Sequence, residues 1–82
     1  MKPRKLLIKA MNAPQNLQFA ALCRLAEAFG YTLDRISGSH HLFAHPKAMR
    51  PLNFQEVGGK AKPYQVKQFL RDIEEFQLSM KE

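Results

Sequence analysis

Three histidines lie within six consecutive positions of the segment SGSHHLFAHP, residues 37–46, and the chain has no other. An imidazole can ligate a metal ion, exchange protons near neutral pH, or pack against a hydrophobic core through satisfied hydrogen bonds. The residue types alone leave all three roles open. The elements that position these side chains must therefore decide between them.

The segment after the Ser-Gly-Ser turn predicts a β-strand over His40–His45, ended by proline. Strand side chains alternate between faces, so His40 falls on one face while His41, Phe43 and His45 share the other. Four residues along a strand separate His41 from His45 by about 13 Å, which is too far for a shared metal ion. The single Cys23 cannot complete a ligand set. We therefore expect no metal and no cofactor.

The face shared with Phe43 is the one expected to meet the helices. A histidine there is typically a buried, hydrogen-bonded imidazole, and this is the expectation for His41 or His45. His40 then faces the open side of the sheet, where an exposed imidazole can act as a general acid or base. His40 is the candidate catalytic residue, and His41 is a secondary candidate.

The charge of the chain favours a polyanionic partner. The net charge of the 82 residues is +6, with a pI near 9.8. Residues 35–71 contain the histidines and carry seven basic side chains against one acidic. RNA is a suitable substrate for a histidine surrounded by basic side chains. Its 2′-hydroxyl is an internal nucleophile, so cleavage needs acid–base groups and phosphate contacts but no metal. The candidate RNA-binding residues are Arg35, Lys47, Lys60 and Lys62.

The elements around the histidines indicate one α+β domain over residues 1–82. A short amphipathic helix over 3–11, for which a strand over 5–9 is the alternative, precedes a helix over 17–29. Strands follow over 31–37, 40–45 and 52–57, with a glycine pair ending the third. A final helix begins at Pro63. The order (α)αβββα predicts a three-stranded antiparallel sheet with helices on one face.

These residues resemble a known family. The run Gly38-Ser39-His40-His41 after a helix ending in Phe-Gly, together with the segment GKAKPY at 59–64 before a final helix, is similar to HicA-type toxins. The resemblance covers residues from about 17 to 76. It implies a double-stranded-RNA-binding-like fold, ribosome-independent mRNA cleavage and neutralisation by a HicB-type antitoxin. The histidine directly after Gly-Ser maps the catalytic role onto His40.

The sequence also departs from that family. Many members carry a second histidine late in the third strand, and residues 52–57 contain none. Lys60 and Lys62 could clamp phosphate at the start of the last helix or remain solvated. Tyr64 could stack on a base or pack against the protein.

The leading hypothesis is the toxin of a type II toxin–antitoxin system, a metal-independent mRNA endoribonuclease. The alternatives are a non-catalytic RNA-binding module and an interaction protein whose basic face docks an acidic partner. The chain lacks a run of about 18 apolar residues and a signal-peptide core, so we expect a cytoplasmic protein with no membrane partner. The expected partners are mRNA and a HicB-type antitoxin, and a homo-oligomer is left open.

Overall fold

The structure is a computed structural model that describes residues 2–80. Its elements follow in the order α1 (Pro3–Asn12), a 3₁₀ helix (Pro14–Asn16), α2 (Phe19–Ala28), β1 (Thr32–Ser37), β2 (His40–Ala44), β3 (Leu52–Val57), β4 (Lys60–Ala61) and α3 (Pro63–Glu75). Proline occupies the first turn of α1, of the 3₁₀ helix and of α3, where its missing N–H costs no helical hydrogen bond. The predicted α+β class is confirmed, and the first segment is a helix rather than a strand.

The four strands form one antiparallel sheet in the order β1-β2-β3-β4. The prediction of three strands is wrong by one, because Gly58 and Gly59 form a hairpin turn instead of ending the sheet. Both glycines have positive φ, 57° and 79°, as a two-residue turn between antiparallel strands requires. The turn brings Lys60 and Ala61 back beside Val57 and Glu56 as β4.

The outer edge of β4 is covered by the chain that precedes α2. Phe19 donates its N–H to the Gly59 carbonyl, and Ala61 donates its N–H to the Leu17 carbonyl, each at 3.0 Å. Leu17 is therefore extended, and α2 begins two residues later than predicted. β1 forms the opposite edge of the sheet, and all its residues are exposed.

The core lies between one face of the sheet and the helices. Phe43 and Phe54 pack together at a ring separation of 5.5 Å, and Phe54 meets Phe69 of α3 at 6.0 Å. Leu22 and Leu25 of α2 are fully buried in the same cluster. The predicted placement of helices on one face of the sheet is confirmed. The other face displays the side chains that alternate with Phe43 and Phe54, and these are exposed or half-buried; we call it the open face.

Candidate catalytic face

His40 is the first residue of β2 and lies on the open face. The sheet register pairs it with Ser37 of β1 and Gln55 of β3, and alternation along β2 directs it away from buried Phe43. Its Nδ1 lies 3.1 Å from Oδ1 of Asn53. Since a carboxamide oxygen only accepts hydrogen bonds, Nδ1 carries the proton in this pair and Nε2 is the other, basic nitrogen.

His41 faces the helices. Its ring meets Phe19 of α2 edge-on at a centroid separation of 4.8 Å. Its Nδ1 lies 3.3 Å from the Ser39 carbonyl, to which it donates. The side chain is half-buried. His41 is thus separated from His40 by the thickness of the sheet, and the two imidazoles do not form a pair.

His45 is a structural imidazole. Its Nε2–H donates to the Phe29 carbonyl at 2.9 Å, and its Nδ1 accepts the Lys47 N–H at 2.9 Å. The ring also packs edge-on against Tyr31 at 5.0 Å. Because both nitrogens are engaged by backbone groups, His45 fixes the loop after β2 to the end of α2. Among residues 2–80, no three His, Cys, Asp or Glu side chains converge as metal ligands would.

A hydrogen-bonded chain of polar side chains runs beside His40. Gln55, the cross-strand partner of His40, donates from Nε2 to Ser39 Oγ at 3.1 Å. Its Oε1 accepts from Lys62 Nζ at 2.7 Å. The Lys62 ammonium also lies 5.9 Å from the centre of the Tyr64 ring. These hydrogen bonds hold the Lys62 ammonium next to His40, and they join the β1–β2 turn to the start of α3.

Two other predicted basic residues also lie on the open face. Lys60 pairs with Val57 in the sheet, so its side chain shares the face of Gln55. Arg35 pairs with Leu42, two residues from His40. The register of β1 shifts between Leu33 and Arg35, and this bulge turns Arg35 to the open face, where regular alternation would have placed it with Leu33 on the helix side.

Lys47 lies elsewhere. It belongs to the loop at the far end of β2, about 13 Å along the strand from His40. There it lines a small hollow with Phe29, His45 and Leu78. Of the four predicted basic residues, the structure thus brings Arg35, Lys60 and Lys62 to the face of His40 but not Lys47. Tyr64 is 63% exposed, so the packing interpretation of that side chain is wrong.

Asn53 and Gln55 belong to this face but were not predicted from the sequence. Both alternate with buried Phe54, which shows that they are on the open side of β3. Strand alternation was readable in the sequence. The register that sets Gln55 against His40 was not, because it depends on the length of the loop between β2 and β3.

Two groups away from the open face, the half-buried Cys23 and the buried Tyr31, have raised pKa values. Burial, with Glu27 and Glu56 nearby, raises the pKa of the Cys23 thiol from 9.0 to about 11. Burial and the negative charge of Asp72 raise the pKa of Tyr31 from 10.0 to about 12. Both groups are therefore protonated near neutral pH, and Cys23 is not an activated nucleophile.

The fold defines a small α+β domain whose helices cover one face of the sheet, and whose open face carries His40 with the basic side chains of Arg35, Lys60 and Lys62. The chain belongs to the HicA toxin family of bacterial toxin–antitoxin systems, whose family model matches residues 19–74. The match runs from the start of α2 almost to the end of α3 and includes the histidines. Comparison with curated proteins and with solved structures found no match.

Family membership makes this chain the toxin of a toxin–antitoxin pair, with an antitoxin as its partner. Helix α1 lies outside the matched residues and packs against α2 and α3. In the part of the chain that the structure describes, every helix is too short or too polar to cross a bilayer.

Proposed function

We propose that this toxin is a metal-independent endoribonuclease that cleaves mRNA, with His40 as its acid–base residue. The observation that carries the proposal is the pair formed by His40 and Asn53 on the open face. The asparagine holds the proton on Nδ1, and Nε2 has no hydrogen-bond partner among the described residues. A nitrogen of this kind can accept the proton of a substrate hydroxyl.

The reaction follows from the chemistry of RNA. His40 Nε2 takes the proton of the 2′-hydroxyl, whose oxygen attacks the adjacent phosphorus. The bond from phosphorus to the 5′-oxygen breaks, and a proton from solvent or from the imidazolium completes the 5′-hydroxyl. The other product is a 2′,3′-cyclic phosphate. Lys62, held beside His40 through Gln55, stabilises the charge that develops on the phosphate oxygens.

The charge of the open face supports RNA as the substrate. Arg35, Lys60 and Lys62 lie on this face, and the acidic residue of β3, Glu56, alternates to the helix side. Phosphate contacts of this kind provide most of the affinity for a nucleic acid and make it strongly salt-dependent. The helices packed over one sheet face agree with the double-stranded-RNA-binding-like fold that the resemblance implies. As an enzyme acting on mRNA, the toxin is expected in the cytoplasm.

We further propose that the antitoxin is HicB-type and inhibits the toxin by covering the open face. A partner docking on Lys60 and Lys62 should present carboxylates, because complementary charge speeds encounter and excludes wrong partners. Such a complex blocks RNA by competition and removes His40 from solvent.

The test compares His40→Ala with His41→Ala. Cleavage of an mRNA fragment is measured in the presence of a chelator, and growth arrest is measured on induction. We expect His40→Ala to lose about a hundredfold or more in cleavage rate with little change in the free energy of unfolding. We expect His41→Ala to lose its packing against Phe19 and some stability but to keep cleaving.

A folded His40→Ala protein that cleaves at the wild-type rate would overturn the assignment. Activity lost in His41→Ala alone would move the acid–base role to the helix side of the sheet. Salt-dependent RNA binding without cleavage by the wild type would favour a non-catalytic RNA-binding module. The absence of RNA affinity would favour a face that serves only to dock a protein.

A further inference from the structure

We propose that a groove between β3 and α3 binds one nucleotide of the RNA, next to the bond that is cleaved. This inference rests on the proposed function and deepens it by assigning a base-binding subsite. The groove has a volume of about 490 Å³. It exists because β4 extends along β3 no further than Glu56 and Val57, so the first half of β3 has α3 instead of a strand beside it.

The floor of the groove offers backbone hydrogen-bonding groups. Gln55 turns its N–H toward α3, where Oε1 of buried Gln65 accepts it at 2.8 Å. The N–H and C=O of residues two apart on a strand point the same way, so those of Asn53 point into the groove. Every nucleobase carries donors and acceptors along its edge that such a pair of backbone groups can meet.

One wall of the groove carries an exposed aromatic ring. Tyr64 lines the groove and is 63% exposed. The Gln65 side chain donates to its hydroxyl at 3.4 Å, and the Lys62 ammonium lies 5.9 Å from the ring centre. A tyrosine held in this way is a stacking platform for a base, since every base has a π-face.

The far end of the groove is basic. Arg71 lies two turns beyond Tyr64 on the same side of α3, about 10 Å along the helix. Within residues 2–80, its guanidinium donates to the neutral Gln68 side chain alone, at 3.2 Å. The acidic residue that lines the groove, Asp72, is fully buried and ion-paired to Arg50 at 2.7 Å. The groove therefore favours a phosphate at this end.

The same groove is poorly suited to a peptide strand. An added strand needs a run of unpaired backbone groups along the sheet edge. Here the N–H of Gln55 is already taken by Gln65, and only Asn53 remains between it and Pro51, which has no N–H. The free backbone groups along this edge are therefore those of one residue, which is enough for a single base but not for a strand. The occupant we infer is a nucleotide.

Asn53 connects the groove to the acid–base residue. Its side chain holds His40 on the open face, while its backbone faces the groove. In our inference, the ribose of a base bound on that backbone lies at the edge of β3, on the side of the sheet where the imidazole lies. The groove thus selects the nucleotide whose 2′-hydroxyl is presented to His40.

The experiment measures binding without cleavage. Each of the four nucleoside 3′-monophosphates, and ribose 3-phosphate as the probe that lacks a base, is titrated into ¹⁵N-labelled protein. We expect the nucleotides to shift the Asn53 amide resonance and to bind about tenfold more tightly than ribose 3-phosphate, as stacking on one aromatic ring implies.

Three groove variants and a control complete the design. Tyr64→Ala should reduce nucleotide affinity to that of ribose 3-phosphate, and Tyr64→Phe should retain the difference. Arg71→Gln should weaken all five ligands. Arg24→Gln removes the same charge from an exposed position on α2 and should change nothing. Thermal unfolding checks that each variant is folded.

The outcomes separate this inference from the proposed function. RNA cleavage that depends on His40, with no shift at Asn53 and wild-type KM in Tyr64→Ala, would overturn the groove but leave the nuclease intact. Nucleotides that bind the groove of a protein that does not cleave RNA would overturn the nuclease and leave the groove. Weaker antitoxin binding by Tyr64→Ala, with unchanged nucleotide affinity, would assign the groove to the protein partner and overturn our inference.

Discussion

Asn53 is the residue whose replacement tests the chemistry of the open face most directly. Asn53→Ala removes the oxygen that lies 3.1 Å from His40 Nδ1 but keeps the backbone that faces the groove. Because Asn53 is exposed, its hydrogen bond to His40 is worth about 1 kcal/mol of net stabilisation. If all of that free energy serves to hold the imidazole in its reactive tautomer and orientation, losing it corresponds to about a fivefold fall in rate. We expect kcat to fall by about that factor, with KM unchanged and the free energy of unfolding lowered by no more than about 1 kcal/mol.

The assay is single-turnover cleavage at saturating RNA, combined with imidazole ¹⁵N spectra of His40. In the wild type the neutral ring should carry its proton on Nδ1, and in Asn53→Ala it should exchange between the two tautomers. Asn53→Asp keeps the acceptor and adds a charge that stabilises the imidazolium, so the rise of rate with pH should move to higher pH. A wild-type kcat and an unchanged tautomer in Asn53→Ala would refute the reasoning, as would an effect confined to KM.

Three further predictions concern the rest of the molecule. Arg50→Ala should lower the urea midpoint of unfolding more than Glu75→Ala, since Arg50 ion-pairs with the fully buried carboxylate of Asp72 on α3, whereas Glu75 is an exposed partner of Arg50; equal midpoints would contradict this. At pH 8, Cys23 should be alkylated about a hundredfold more slowly in the folded protein than in urea, because its pKa is raised from 9.0 to about 11. The double variant Lys60→Glu/Lys62→Glu should weaken antitoxin and RNA binding and reduce the salt slope for single-stranded RNA by about 1.4; unchanged affinity for both ligands, measured at two salt concentrations, would show that this segment is not the functional surface.

Local patterns predicted the framework of the fold. The helical spacing of apolar residues identified α2 and α3, and glycine and proline marked the turns between strands. The alternation along β2 separated His40 from His41 correctly, because side-chain direction in a strand depends only on position. β4 was missed because a strand of two residues has no periodicity. In addition, Gly58-Gly59 is equally compatible with the end of the sheet and with a hairpin turn into a further strand.

The site was less predictable because it depends on register and on irregularities. The partners of His40 come from β3 and are fixed by the loop between the strands. Arg35 reaches the open face only because of the bulge in β1, and the residue types of β1 do not indicate a bulge. The position of Lys47 follows from the His45 bonds to backbone groups, and these form only once α2 and β2 are packed.

The sheet has its core on one face only, and this separates the residues that specify the fold from those that we propose contact RNA. Phe43, Phe54 and their buried neighbours determine whether the chain folds. His40, Asn53 and the lysines of the open face contribute little to the free energy of folding. Substitutions on the open face therefore cost almost nothing in stability. If this face binds RNA and the antitoxin as we propose, the toxin can acquire a new RNA preference, or escape an old antitoxin, by single surface mutations that need no compensating change in the core.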